Sequence, residues 1–349
     1  MATNETKALG RSTWVYPSGV GILASAAVVG PKEGDGLLKD DYDIIYTDMY
    51  AGQDTWEKAE RKMLEDAVAT AVEKAGLQTS DIPAYLAGDL LNQNITSSFS
   101  AKTHQMPFMG VYGACSTSML SLSLAAALVD GGYTPYAVAG VSSHNATAEK
   151  QYRYPTEYGG QKTDTAQWTV TGAGAAVVGR GEGGPLIRYS TIGKVVDRGV
   201  KNPFDLGTAM APAAVDTIQT HFQDTGRMPG DYDLIVTGDL AKVGHPIAAD
   251  LLKQAGYDLG ERFQDCGLMI YSPGHEVFAG GSGCASSAVV TYGHILKQMR
   301  QGTWRRVLVI ATGALLSPIS YQQGESIPCI AHAVALEMSE AAEGSGGLS

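Results

Sequence analysis

The chain has 349 residues, a formal net charge of −11, 17% charged residues and 43 glycines. That length suits two fused halves around a sizeable core. The acidic balance excludes nucleic acid as an expected partner, because phosphate binding wants basic surface. Charges below the roughly 25% usual for soluble domains point to much buried surface, part of it in a homodimer.

Cysteines fall at Cys115, Cys266, Cys284 and Cys329 and form no CxxC pair. Neither a zinc site nor a disulfide framework is indicated, and a reducing compartment fits best. With no run of 18 apolar residues, no membrane-spanning helix is expected and the chain reads as soluble.

In chain order, short apolar strands alternate with helices. Gly19–Gly30 (GVGILASAAVVG) reads as a buried strand, and residues 40–51 as an acidic, tyrosine-rich connection. Thr55–Ala75 carries Trp56, Ala59, Met63, Ala67 and Ala71 at helical spacing. Ala84–Gly88 is a strand. Pro107–Tyr112 leads into a turn and an apolar helix from Ser116 to Val129, which Asp130-Gly131-Gly132 ends. Tyr136–Ser142 is another strand. The pattern is that of an α/β protein with a sheet covered on both faces. The tails, residues 1–10 and 341–349, read as flexible.

The second half repeats the first. Residues 74–90 match residues 224–240, each ending in Gly-Asp-Leu, and the Cys115 turn matches Gly281-Ser-Gly-Cys284 with its helix to Arg300. Tyr136–Ser142 matches Arg306–Thr312, and Gly172–Gly179 matches Ile330–Glu337. Matched segments in one order imply a duplicated unit with pseudo-twofold symmetry, divided at residues 11–180 and 181–340. The offset between copies grows from 150 to about 170, so extra residues enter between Asp239 and Gly281.

One turn carries the chemistry. In Val111–Met119 (VYGACSTSM), Cys115 stands among small residues at the head of a helix. Unpaired N–H groups there can depress a thiol's pKa or bind an anion, and a small buried cysteine fits equally.

These features together resemble the thiolase and ketoacyl-synthase fold, two duplicated halves layered αβαβα. Closer still, Ala87–Asn94 (AGDLLNQN), Gly113–Met119, Ser142–Glu149 (SSHNATAE), Tyr152–Lys162 (YRYPTEYGGQK) and Phe278–Cys284 (FAGGSGC) resemble the stage V sporulation protein AD family. The likeness runs from about Trp14 to Glu337. It implies binding of dipicolinic acid (pyridine-2,6-dicarboxylate) and support of its uptake into the developing spore. The implied partners are membrane-embedded sporulation proteins, which would make the chain peripheral at the spore inner membrane.

The resemblance also bears on catalysis. Condensing enzymes of this fold use a His and an Asn, or two His, on loops of the second half. The matching loops read Gly238-Asp239-Leu240 and Gly281-Ser282-Gly283, which leaves a carboxylate where an imidazole is wanted. The expectation is a degenerate, non-catalytic protein with Cys115 at the relic nucleophile position and no cofactor or metal. Cys115, Ser116, Ser282 and Gly283 would meet one ligand carboxylate; His144, Asn145, Arg153 or Lys162 the other. His332, Asp89 and Asn92 are further pocket candidates, and the ligand could enter alone or as its calcium chelate. Residues 142–162 are expected to form a loop over the pocket. Two other readings stand beside this one: an acyl-CoA-dependent acyltransferase with Cys115 as nucleophile, and a structural adaptor for membrane proteins.

Overall fold

The computed structural model describes residues 6–152, 162–181 and 184–339. In the first half β1 (Ala8–Leu9), β2 (Thr13–Val15), β3 (Val20–Val29) and β4 (Ile44–Ile45) precede α1 (Trp56–Lys74). Next come β5 (Tyr85–Gly88), α2 (Ile95–His104), β6 (Phe108–Gly110), α3 (Thr117–Asp130) and β7 (Tyr136–Ser143). Then α4 (Asn145–Tyr152), β8 (Trp168–Thr169) and β9 (Gly172–Arg180) follow. In the second half β10 (Pro185–Ile192), α5 (Leu206–Thr225), β11 (Leu234–Thr237), α6 (Ala241–Gln254), β12 (Phe263–Asp265) and α7 (Cys266–Met269) come first. The chain continues with β13 (Gly281–Ser282), α8 (Cys284–Val289), a π-helical stretch (Val290–Ile295), α9 (Leu296–Arg300), β14 (Arg306–Ala314), α10 (Pro318–Gln322) and β15 (Cys329–Met338).

The main sheet runs β12-β11-β14-β15-β10-β3-β9-β7-β5-β6. That order is a palindrome. Each half lines up two parallel pairs (β12 and β6 on β11 and β5, which pair with β14 and β7) and then two antiparallel strands, and the halves join where Leu186 of β10 faces Gly21 of β3. The repeated segments of the sequence therefore occupy mirrored places.

Layering follows from which residues are apolar. Ala59, Met63, Ala67 and Ala71 of α1 pack with Ala101 of α2 on one face of the first half. Met210, Ala214 and Ile218 of α5 pack with Leu252 of α6 on the outer face of the second. Between them, Met119, Leu122 and Ala126 of α3 share a core with Ala285, Ala288 and Val289 of α8. The result is αβαβα. The helix-to-strand pattern was legible in detail: Thr55 caps α1 by accepting the Lys58 N–H at 3.3 Å, and Gly131 closes α3 by donating to the Ala127 carbonyl.

Two expectations need correction. Residues 8–9 are a strand, not tail, because Ala8 pairs with Trp14 and Lys7 reaches Asp130. Residues 145–152 are α4 rather than loop: Ala148 N–H donates to the His144 carbonyl, and the Thr147 hydroxyl donates to Glu60 of α1. The expected tails at residues 1–5 and 341–349, and the loop at 153–161, lie outside the described residues.

Candidate functional site

Strand β6 ends at Gly110 and the chain turns before α3. Ala114 takes φ +50°, a left-handed conformation that costs an alanine energy, and so presents Cys115 at the head of the helix. The turn is tied by its own atoms. Ser116 donates from both N–H and hydroxyl to the Gly113 carbonyl, and Thr117 from its hydroxyl to that of Ala114. Gly313 of β14 packs against it; a Cβ there would stand 2.4 Å from the Gly113 oxygen and 3.0 Å from Ser116 N.

The Cys115 thiol is 9% exposed and faces the Asp239 carboxylate, the Cys284 sulfur and the Gly283 amide. Burial pushes its pKa up, and the Asp239 charge pushes in the same direction. Asp239 itself is fully buried. Its Oδ1 accepts from the Thr312 hydroxyl at 2.5 Å, and its Oδ2 from the Ser282 hydroxyl at 2.9 Å and the Gly283 N–H at 3.1 Å. Burial still raises this carboxyl to about 6. Cys284 is sealed, donating to the Ala114 carbonyl at 3.1 Å, and its thiol is likewise pushed up by burial. Among the described residues no imidazole hydrogen-bonds the Cys115 sulfur. The thiol's side-chain partner is the Asp239 carboxylate.

The other expected site residues scatter. Ser282 and Gly283 line the cysteine wall, the Ser282 hydroxyl donating to Asp239 and the Gly283 N–H shared between Asp239 and the Cys115 sulfur. Ser116 is likewise engaged, by its own turn. His144 is buried with both nitrogens used, Nε2 donating to the Met49 carbonyl at 2.8 Å and Nδ1 accepting the Ala146 N–H at 3.1 Å. Burial lowers its pKa; it is a structural, neutral histidine. His332 does approach the turn: a Cβ on Gly113 would lie 3.7 Å from its Nε2. Its Nδ1 accepts the Gly193 N–H, so Nε2 carries the proton and faces the turn as a donor, and burial pulls its pKa to about 4.

Asp89 is engaged by its own loop. Both oxygens are taken, by the Leu91 N–H and by the N–H and hydroxyl of Ser97, and Asn92 is exposed and tied to Gln151. Among the described residues no cluster of three or more His, Cys, Asp or Glu side chains is placed to hold a metal ion. Asn145 sits beside Thr171 with its Nδ2 buried and unpartnered among the described residues. Lys162 pairs with Glu149 at 2.7 Å and stands 5.6 Å from the Trp168 ring centroid and 5.7 Å from that of Phe278. Arg153 lies outside the described residues.

Sequence reasoning passed over several neighbours of the site. Tyr112 brings its hydroxyl within 3.5 Å of that of Tyr152, a member of the polar, aromatic 142–162 stretch, and Tyr152 donates to the Leu90 carbonyl. Gln167 donates to the Asp239 carbonyl at 2.6 Å. Glu60, fully buried on α1, takes hydroxyls from Ser142 and Thr147 and has its pKa raised by burial. Its helical spacing put it on the apolar face, and that was the available signal.

Comparison with known proteins closes the case for kinship. Over the whole chain the fold is similar to a variant of OleA from Xanthomonas campestris, at 16% identity and a TM-score of 0.59, covering 93% of this chain and 99% of that one. It is also similar to 3-oxoacyl-[acyl-carrier-protein] synthase III from Aquifex aeolicus, at 14% identity and a TM-score of 0.57, covering 91% and 100%. The chain is 55% identical over 331 residues to stage V sporulation protein AD of Bacillus subtilis (strain 168), covering 95% of this chain and 98% of that protein. The family model for stage V sporulation protein AD matches residues 10–337. The chain belongs to the stage V sporulation protein AD family and carries a thiolase-like fold.

Proposed function

We propose that the chain is a non-catalytic receptor for dipicolinate that supports its uptake into the developing spore, using a thiolase-type cavity without thiolase-type chemistry. The observation that carries the loss of catalysis is the pairing of Cys115 with a buried carboxylate, Asp239, where activation would need a base and oxyanion donors. The ligand's identity follows the family's role in sporulation, and the cationic, aromatic surroundings of Lys162 suit a planar dianion. Calorimetric titration with dipicolinate, with and without calcium, tests this. Saturable heat is expected from the wild-type protein, and its absence under both conditions removes the ligand.

Acyl transfer from Cys115 is a second reading, favoured by the strained Ala114 that still presents the thiol at a helix head. Rapid labelling of Cys115 by an acyl-CoA would establish it in place of the receptor.

No described helix is long and apolar enough to cross a membrane. Action at the spore inner membrane would therefore run through membrane-embedded partner proteins. The proposed homodimer uses the β6 edge, where Ile95, Phe99, Met109 and Tyr112 are all at least 40% exposed. Met109→Lys should shift the sedimentation coefficient toward that of a monomer; an unchanged value moves the interface elsewhere.

A further inference from the structure

Strand β8 extends the cysteine wall outward. Trp168 pairs with Gly281 and Thr169 with Ser282, so the strand partner of Trp168 is two residues before Gly283, whose amide faces Cys115. Two ammonium groups gather at that indole. Lys32 Nζ lies 3.5 Å from the ring centroid and Lys162 Nζ 5.6 Å, and Lys162 also stands over Phe278. A third lysine, Lys242, donates to the Phe278 carbonyl at 3.1 Å. In a chain of net charge −11 this is a spot where ammonium groups gather, with Glu33, Glu149 and Glu276 beside them.

The spot is held in place against local cost. Phe278 takes φ +54° and Ala241, beside Lys242, φ +55°, so with Ala114 three of the seven non-glycine residues in the left-handed region among those described border one wall. Burial disfavours the Lys32 charge, and the Lys162 ammonium adds a smaller repulsion. Acids face both ammonium groups: Glu149 pairs with Lys162, Glu33 and Glu276 favour the Lys32 charge, and the Glu276 carbonyl accepts from Lys32. Trp168 Nε1 is buried and has no partner among the described residues. A carboxylate seated at the indole would give Trp168 Nε1 an acceptor and two ammonium groups within reach.

We propose that Lys32 and Lys162, gathered on Trp168, form the subsite that receives a carboxylate of a small aromatic dicarboxylate. This deepens the receptor reading above and rests on it. It also fits the donors at Ser282 and Gly283 being engaged by Asp239 and Cys115: the ligand's charge is met farther out.

The test compares dipicolinate with its one-carboxylate relative, pyridine-2-carboxylate, by calorimetry on the full chain. Wild type should prefer dipicolinate. In Lys32→Ala and Lys162→Ala that preference should fall by about ten- to a hundredfold, the worth of one charged hydrogen bond, and Lys32→Arg should restore part of it. Both lysines are partly exposed, so unchanged melting curves will confirm folded variants. A wild-type protein that binds dipicolinate while both alanine variants keep the full preference overturns the subsite and leaves the receptor standing. A wild-type protein that binds neither compound removes the receptor, and the subsite with it.

Discussion

The two halves carry equivalent turns with opposite fates. Cys115 heads α3 and Cys284 heads α8, and the serine three residues after each meets its counterpart, Ser118 Oγ to Ser287 Oγ at 2.6 Å. The duplication is thus written into a hydrogen bond between the two central helices. Yet Cys284 is sealed against the Ala114 carbonyl, whereas Cys115 keeps a small exposure. The aspartates that end the repeated Gly-Asp-Leu strings differ more. Asp89 serves its own half, gathering the Leu91 amide and Ser97 near the start of α2. Asp239 also takes its hydrogen bonds from its own half, from Ser282, Gly283 and Thr312, but it faces the Cys115 thiol of the other. In the second half the local task falls instead to Asp265, which accepts the Leu240 and Ala241 amides. The duplicated segments share a backbone and differ in what their carboxylates hold, and that difference sets the surroundings of the Cys115 thiol.

Breaking the Asp239 carboxylate should have the largest effect. Asp239→Ala leaves the Ser282 hydroxyl, the Gly283 amide and the Thr312 hydroxyl buried without an acceptor, and should cost about 2–4 kcal/mol in urea denaturation. Asp239→Asn sharpens the point through pH. With its folded pKa raised to about 6 from an ordinary 3.8, the Asp239 contribution to stability is fully present below the ordinary value. It is lost as pH rises through 6, by on the order of 3 kcal/mol. The asparagine variant should show a flatter stability profile between those values. Identical slopes in variant and wild type would mean that the carboxyl is not held in a desolvated state.

A smaller effect is expected at the symmetric contact. Ser118→Ala or Ser287→Ala alone strands a buried hydroxyl and should cost about 1–3 kcal/mol. The double variant should lie closer to wild type than the sum of the singles. Strict additivity would show that the two hydroxyls do not depend on each other.

Much of this architecture was legible in the residues. The 3.6 spacing of α1, the glycine stop of α3 and the internal repeat fixed the elements and their mirrored order, because each rests on local backbone rules or on direct self-comparison. The site was less legible. Gly238-Asp239 revealed a missing imidazole, but nothing local told which groups Asp239 would take, since Thr312 and Ser282 come from distant strands. His144 looked chemical in a polar string and proved to be locked by the Met49 carbonyl, a partner 95 residues away. Lys32 and Trp168 carry no motif; only the fold brings them together. The π-helical stretch at Val290–Ile295 interrupts a helix whose spacing gave no warning of it.

The account turns on whether the Cys115 sulfur is an inert thiol. Its rate of alkylation by iodoacetamide, read for the Cys115 peptide by mass spectrometry across pH 6 to 9, addresses that directly, with free cysteine titrating at about 8.5 as reference. A rate below that of a free thiol, still climbing at the alkaline end, is what a buried thiol beside Asp239 predicts. A fast reaction already level below pH 7 would reveal an activated thiolate and contradict the account.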